Sequence, residues 1–327
     1  LRGEDAESRR TRENKEALGG MRNPRVSNTR VKGHNAIGKR VFKVLSRLVL
    51  SDDAVEGAVM DALGDKTKTH KGPSKEQIIL ARAALYDALG LDYQRRTRGA
   101  SKLEQQLYGE WLRQAEDYDV DIQDWLAQGT PIGIESEMIP RGVFPEVHEA
   151  TPEELRRDLE LYHEGFRNYS SLEEEPDGLG ALLELVDAGF VLAFDSYEDL
   201  RAHLGNTEPI TSKLAVIKSV KEGVVKYRLI LDCRVSGSND AALRRERILL
   251  PKCWDVIRDV MALRKGQSGD EQVYLFVLDF KDAFYMLPLI RRERRYVTAF
   301  HRNKWYVWRC VAQCSLNGPT AFGRLSA

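Results

Sequence analysis

The chain has 327 residues, 42% of them hydrophobic and 31% charged, enough for a globular core and for two domains. Lys plus Arg and Asp plus Glu are each 50, so net charge points to no partner and the distribution of charge along the chain carries the information instead. No apolar run approaches the roughly 18 residues of a membrane helix and no signal-peptide pattern occurs, which leaves membrane and secretory roles without support and makes an intracellular protein the expectation.

Residues 1–35 are polar and Arg-rich with no apolar period, the composition of a basic disordered tail. Helices are predicted over 36–50 and 52–63, with Ser51-Asp52-Asp53 as the cap of the second. Capping boxes at Ser74-Lys-Glu-Gln77 and Ser101-Lys-Leu-Glu104 open two more helices, and Thr151-Pro152-Glu-Glu154 places Pro at the first position of another. Gly129-Thr-Pro-Ile-Gly-Ile and Ile139-Pro-Arg-Gly-Val-Phe-Pro145 form a Pro/Gly-rich connector between helical blocks. Residues 142–200 are strongly acidic, which usually marks a solvated helical face. Helices at 178–189 and 195–204 complete a mainly helical region over 36–204, ahead of a last domain over 205–327.

From residue 214 the pattern changes. Leu214-Ala-Val-Ile-Lys218-Ser-Val and Val224-Val-Lys-Tyr-Arg228-Leu-Ile-Leu-Asp232-Cys-Arg234 read as two strands joined by Lys221-Glu222-Gly223, a hairpin signal. Residues 213–264 hold twelve basic against six acidic side chains, a balance that fits a phosphate-bearing partner. Leu250-Pro251 precedes a helical run with apolar residues at 254, 257, 260, 261 and 263. The apolar run Tyr274-Leu-Phe-Val-Leu278 then delivers Asp279 to the end of a strand, where an acid is costly unless a metal or cation pairs it. Asp282 follows as a helix-like turn opens.

Residues 291–308 alternate into two strands around Arg302-Asn303. Their basic residues, interleaved with aromatics, suit either a nucleic-acid surface or a hairpin whose rings are core. Gln313-Cys-Ser-Leu-Asn317-Gly318-Pro319 leads into a last helix, with Pro319 at a start position where it costs nothing. Cys233, Cys253, Cys310 and Cys314 fit neither a zinc ribbon nor a disulfide framework, so reduced thiols inside strands or core are expected.

Val277-Leu-Asp279-Phe-Lys-Asp282-Ala-Phe284-Tyr-Met-Leu-Pro288 resembles the first palm motif of retroelement reverse transcriptases, hydrophobic-Leu-Asp-x-x-Asp-Ala-(Tyr/Phe)-x-x-x-Pro. The hairpin, the Leu-Pro helix and the stretch from Gln313 to Phe322 follow the order of the fingers and palm motifs of that family. The resemblance covers about 205–327. It implies an α+β fold, a fragment of right-hand polymerase fingers and palm with an antiparallel sheet. It also implies an RNA-directed DNA polymerase, a nucleotidyltransferase adding deoxynucleotides by two-metal phosphoryl transfer.

On that resemblance Asp279 is the catalytic carboxylate and a ligand of Mg2+, which prefers carboxylate and phosphate oxygens. Asp282 lies beside the incoming triphosphate, and Phe284 packs under its sugar and leaves no room for a 2′-hydroxyl. Lys218 and Arg228 bind the triphosphate, the Arg as a planar fork and the Lys as a point charge, with Lys213 and Lys221 near enough to compete for the Lys role. Gln313 contacts the incoming nucleotide. Asp232 and Arg234 form a structural acid and base pair, with Asn239 close to the Asn of the family. The partners implied are an RNA or DNA template with its primer, deoxynucleoside triphosphates, and other polyprotein domains such as RNase H or integrase.

Two departures stand out. Cys314 occupies a position where the family has Gly, so a Cβ intrudes on backbone that passes close to the nucleotide. The family completes its metal site with a downstream aromatic-x-Asp-Asp hairpin, which residues 1–327 do not contain. The expectation is a piece of a longer polyprotein, or an incomplete gene product, truncated before that motif. The alternative function is a catalytically inactive, retroelement-derived nucleic-acid-binding protein.

Overall fold

Helices begin where a side chain can close the first turn, and the computed structural model shows this at Ser74. It describes residues 36–41, 43–44, 74–147, 159–175, 177–221, 223–250, 252–265, 280 and 282–326. The expected tail over 1–35, the helix over 52–63, the Thr151-Pro152 helix start and Asp279 lie outside the described residues. Helices and small antiparallel sheets make the chain α+β, and it divides into two units, Leu1–Gln128 and Gly129–Ala327.

The first unit is helical. Ser74 Oγ accepts from Gln77 N at 3.2 Å while Gln77 Oε1 accepts from Ser74 N at 2.8 Å, opening α1 (Lys75–Ala88) with a complete capping box. The second predicted box does not form. Glu104 is itself the cap residue of α2 (Gln105–Gln114), and Ser101 Oγ instead accepts from Leu103 N at 3.0 Å. The Glu104 carboxylate is engaged by Tyr86, whose buried hydroxyl donates to it at 2.9 Å. α3 (Asp121–Gln128) packs so closely on α2 that a Cβ at Gly109 would lie 2.0 Å from Gln123 Oε1. Ile37, Leu89 and Ala115 form the core of this unit with Leu107 and Trp111 against them.

The second unit is built on two sheets. Residues 170–173 (α4) and 178–187 (α5) precede β1 (Val191–Phe194), and Ser196 caps α6 (Tyr197–His203) by accepting from Asp199 N at 3.0 Å. β1 adds a strand to a region expected to be mainly helical. It pairs antiparallel with β5 (Lys304–Trp308), which pairs with β4 (Thr298–His301), in the order β1-β5-β4. The β4–β5 turn falls on Arg302 and Asn303, both at positive φ (48° and 60°), as a two-residue hairpin of this twist requires.

The predicted hairpin is β2 (Lys213–Lys221) paired with β3 (Val224–Asp232), with Gly223 at φ 78° in the connection. The register joins Leu214 to Leu231, Ile217 to Arg228 and Lys218 to Tyr227. α4 and α5 cover one face, where Val216 Cγ2 would lie 3.3 Å from a Cβ at Gly178. α7 (Cys253–Lys265) follows the Leu-Pro step as predicted, although Trp254, Met261 and Leu263 are exposed.

Beyond it, Ala283–Met286 and Arg291–Tyr296 are 3-10 turns, and α8 (Gly318–Ser326) closes the described chain with Pro319 in its first turn. Asn317 anchors the start of α8, donating from Nδ2 to Ile132 O at 3.0 Å and to Leu243 O at 2.9 Å. Gly133, at φ 88°, makes this approach possible, since a Cβ there would meet Asn317 Nδ2 at 2.5 Å.

Candidate functional site

Successive residues of a strand point to opposite faces, and directly paired residues share one. Arg228, paired with Ile217, therefore faces away from the layer of α4 and α5, whereas Lys218, paired with Tyr227, faces toward it. The side-chain contacts follow this division. Arg228 Nη2 donates to Gln313 Oε1 at 3.0 Å, joining two predicted nucleotide-binding residues that are 85 positions apart. Lys218 Nζ instead lies 3.2 Å from Glu175 Oε2 and 5.4 Å from the centroid of the Tyr227 ring. The Tyr227 hydroxyl donates to Glu175 Oε1 at 3.1 Å. Tyr227 and Glu175 together raise the pKa of Lys218. Arg228 and Lys218 thus do not converge on one ligand. Position 221, paired with Val224, has the parity of Arg228, and so does Lys213, paired with Asp232.

Asp282 is exposed and left-handed (φ 58°, ψ 31°), a conformation Asp tolerates better than most residues, and it caps the 3-10 turn Ala283–Met286. This is the turn predicted after Asp279. Phe284 is half-buried, its ring centroid 5.8 Å from that of Phe322 on α8. A Cβ at Gly318 would lie 3.5 Å from Phe284 Cδ1, so the first turn of α8 backs the ring.

Tyr285, which no motif singled out, stacks on Phe190 at 4.9 Å. Burial pushes its hydroxyl pKa up, the Cys310 and Cys314 thiols and the Asp282 carboxylate add to this, and Arg228 opposes it. Asp282, Arg228 and Cys314 therefore share the electrostatic neighbourhood of one hydroxyl. The exposed Asp282, Arg228 and Gln313 with the flank of Phe284 offer one carboxylate, one guanidinium, one amide and one flat ring.

At the root of the hairpin, Asp232 does more than pair with Arg234, whose Nε is 3.6 Å away and whose side chain is 83% exposed. Tyr169 donates to Asp232 Oδ2 at 2.8 Å, and the backbone N–H groups of Arg234 and Val235 donate to Oδ1 at 3.0 and 3.4 Å. Burial works to raise the Asp232 pKa, and these bonds outweigh it and hold the carboxyl below its ordinary value. Asn239 clasps the turn before α8, donating from Nδ2 to Cys314 O and accepting from Leu316 N, each at 2.9 Å. Cys233 Sγ and Cys314 Sγ stand 2.7 Å apart. Cys233 and Cys310 are buried and Cys314 half-buried as expected, but Cys253 is exposed at the start of α7.

The aromatic residues of 296–308 settle one open choice. Tyr296, Trp305, Tyr306 and Trp308 are buried and the half-buried Phe300 packs on Trp305 at 4.8 Å, so these rings belong to the core. Among the described residues no group of three or more His, Cys, Asp or Glu side chains could hold a metal ion, and the implied ligand Asp279 is outside them. No helix of the described residues is long and apolar enough to cross a membrane. No protein-family model matches the chain, and neither does any curated protein.

Proposed function

We propose that residues 205–327 are the fingers and first part of the palm of a retroelement reverse transcriptase, an RNA-directed DNA polymerase. The hydrogen bond from Arg228 to Gln313 supports this best. Two residues far apart in sequence, assigned to the same nucleotide by separate motifs, meet through their side chains. Arg228 grips a triphosphate through its fork, and Gln313 Oε1 holds that fork in orientation. Phe284, backed by α8, shapes the sugar side of the pocket and disfavours a 2′-hydroxyl. Asp279 would hold Mg2+, which when bound neutralises charge on the reacting phosphate. The described residues do not complete such a site.

Primer extension on an RNA template tests the reading, with the chain continued into an aromatic-x-Asp-Asp hairpin. Deoxynucleotide incorporation is expected, and Asp279→Asn should abolish it. Arg228→Ala should raise the apparent KM for the nucleotide by roughly 10- to 100-fold, the loss of one or two charge-assisted bonds. Lys218→Ala should leave that KM nearly unchanged, because Lys218 is committed to Glu175 on the other face. Full activity in Asp279→Asn would sink the proposal. A catalytically inactive nucleic-acid-binding protein is the second reading, favoured by Cys314 at a position the family keeps as Gly. It predicts binding of an RNA/DNA duplex that weakens steeply with salt, without any incorporation.

A further inference from the structure

The two thiols at the root of the hairpin are placed for a chemistry that nucleotide handling does not use. Cys233 is the first residue after β3 and is 1% exposed, while Cys314 is half-buried in the turn before α8. Their sulfurs are 2.7 Å apart, against about 2.05 Å in a disulfide. Asn239 fixes both backbones at once. Its N–H donates to Cys233 O at 3.0 Å and its Nδ2 donates to Cys314 O at 2.9 Å. With Oδ1 also accepting from Leu316 N, one side chain holds the turn on which Cys314 sits. Sulfurs held from both sides in this way need little backbone movement to bond.

We propose that Cys233 and Cys314 are a modification site, a dithiol that small-molecule disulfides of the glutathione type oxidise to an intramolecular disulfide. The bond would fasten the root of the β2–β3 hairpin to the turn before α8, across 81 residues of sequence. Access sets the order of events. Cys314, the more exposed thiol, loses its proton and attacks one sulfur of glutathione disulfide. The S–S bond of the oxidant breaks, and the departing glutathione thiolate takes the electron pair and a proton. Cys233 then loses its proton and attacks Cys314 Sγ, which breaks the mixed disulfide and releases the second glutathione. Two protein thiols and one small disulfide thus become one protein disulfide and two small thiols, with two electrons passed to the oxidant. The thiol of Cys314 beside it and burial both push the pKa of Cys233 up, which suits it to resolve rather than to initiate. The remaining two cysteines are placed differently, Cys253 exposed on α7 and Cys310 buried with its Sγ 3.5 Å from Phe190 O.

The pairing does not depend on polymerase activity, and its test uses none. The native chain is treated with glutathione disulfide, alkylated, digested and analysed by mass spectrometry. Cys233 and Cys314 should both leave the pool of alkylated thiols, whatever glutathione the exposed Cys253 takes up. One crosslinked peptide pair should contain Cys233 and Cys314, lighter by two hydrogens and released by dithiothreitol. Cys310→Ser and Cys253→Ser should keep the crosslink, and Cys314→Ser should lose it. The measurement on the unsubstituted chain stands even where a variant fails to fold. Stable glutathione on Cys314 with Cys233 still open to alkylation overturns the proposal. So does a crosslink to Cys253 or Cys310, or the survival of the Cys233 and Cys314 thiols.

Discussion

Glu293 is fully buried, and its two oxygens accept four backbone N–H groups, Ile132 on Oε2 and Ile134, Glu135 and Ser136 on Oε1. The carboxylate is the closing piece of the loop over 132–136, because it gathers four N–H groups, of which that of the buried Ile132 would otherwise have no partner. Glu293→Ala should destabilise the fold by roughly 3–5 kcal/mol, read as a lower urea midpoint at unchanged slope. Glu293→Gln keeps one oxygen to accept and should cost about 1–2 kcal/mol. An alanine variant as stable as the parent would refute this role. In sequence the residue sits in Arg-Arg-Glu-Arg-Arg and reads as one acid in a basic, solvated run; only the 3-10 turn over Arg291–Tyr296 turns it inward. The site was legible in the same uneven way. That Arg228 and Gln313 meet could be expected from sequence, because their motifs assign both to one ligand. The face of Lys218 could not, because strand parity depends on the register, and the register depends on the turn.

The β4–β5 hairpin shows how an element can be stable and still carry local strain. Its turn needs two residues at positive φ, and the chain supplies Arg302 and Asn303 where Gly would sit without cost. Asn tolerates the left-handed region, but Arg has no side-chain bond that favours it. Arg302→Gly should therefore stabilise the second unit by roughly 0.5–1 kcal/mol, and Asn303→Ala should destabilise it by about 1 kcal/mol. Opposite shifts in the thermal midpoint would check both, and a destabilised Arg302→Gly would show that its side chain matters more than its backbone.

Elements with a local cause were the legible ones: the Ser74 box, the hairpin around Gly223 and the helix after Leu250 each follow from a few adjacent residues. The box at Ser101 matches the same pattern and fails: Glu104 is itself the cap residue, and its carboxylate accepts from Tyr86, a partner 18 residues away. The rings of 305–308 were ambiguous for a related reason, since alternation fixes which residues share a face but not which face is covered.

At the scale of the molecule, Val191–Phe194 joins the sheet of 298–308, so upstream residues complete the sheet of the last domain. Four residues between two helices give too short an apolar run to reveal this, and the pairing is set by strands more than a hundred residues away. The same burial makes stability depend on pH through two histidines of the second unit. His301 is 3% exposed, and burial lowers its pKa; Glu173 opposes the shift and Arg302 adds to it. His203 is lowered by burial and by Arg294, Arg291 and Arg309. In the unfolded chain both take up a proton near the ordinary value of about 6.5, while in the folded chain both stay neutral until a lower pH. Between those values the unfolded state holds more protons, so stability rises with pH across the window and is lost as pH falls through it. Above about pH 7.5 the two groups contribute no slope. The carboxylates held low in the fold, Asp232 among them, act in the same direction but only as pH falls through the ordinary carboxylate range near 4. Urea unfolding from pH 8 to 5 should therefore show a first loss of stability beginning near pH 6.5, with a limiting slope of about 1.4 kcal/mol per pH unit for each histidine. His301→Gln removes one titrating group and should flatten that step, whatever it does to stability at pH 8. An undiminished step in that variant, together with an undiminished step in His203→Gln, would place the proton uptake elsewhere.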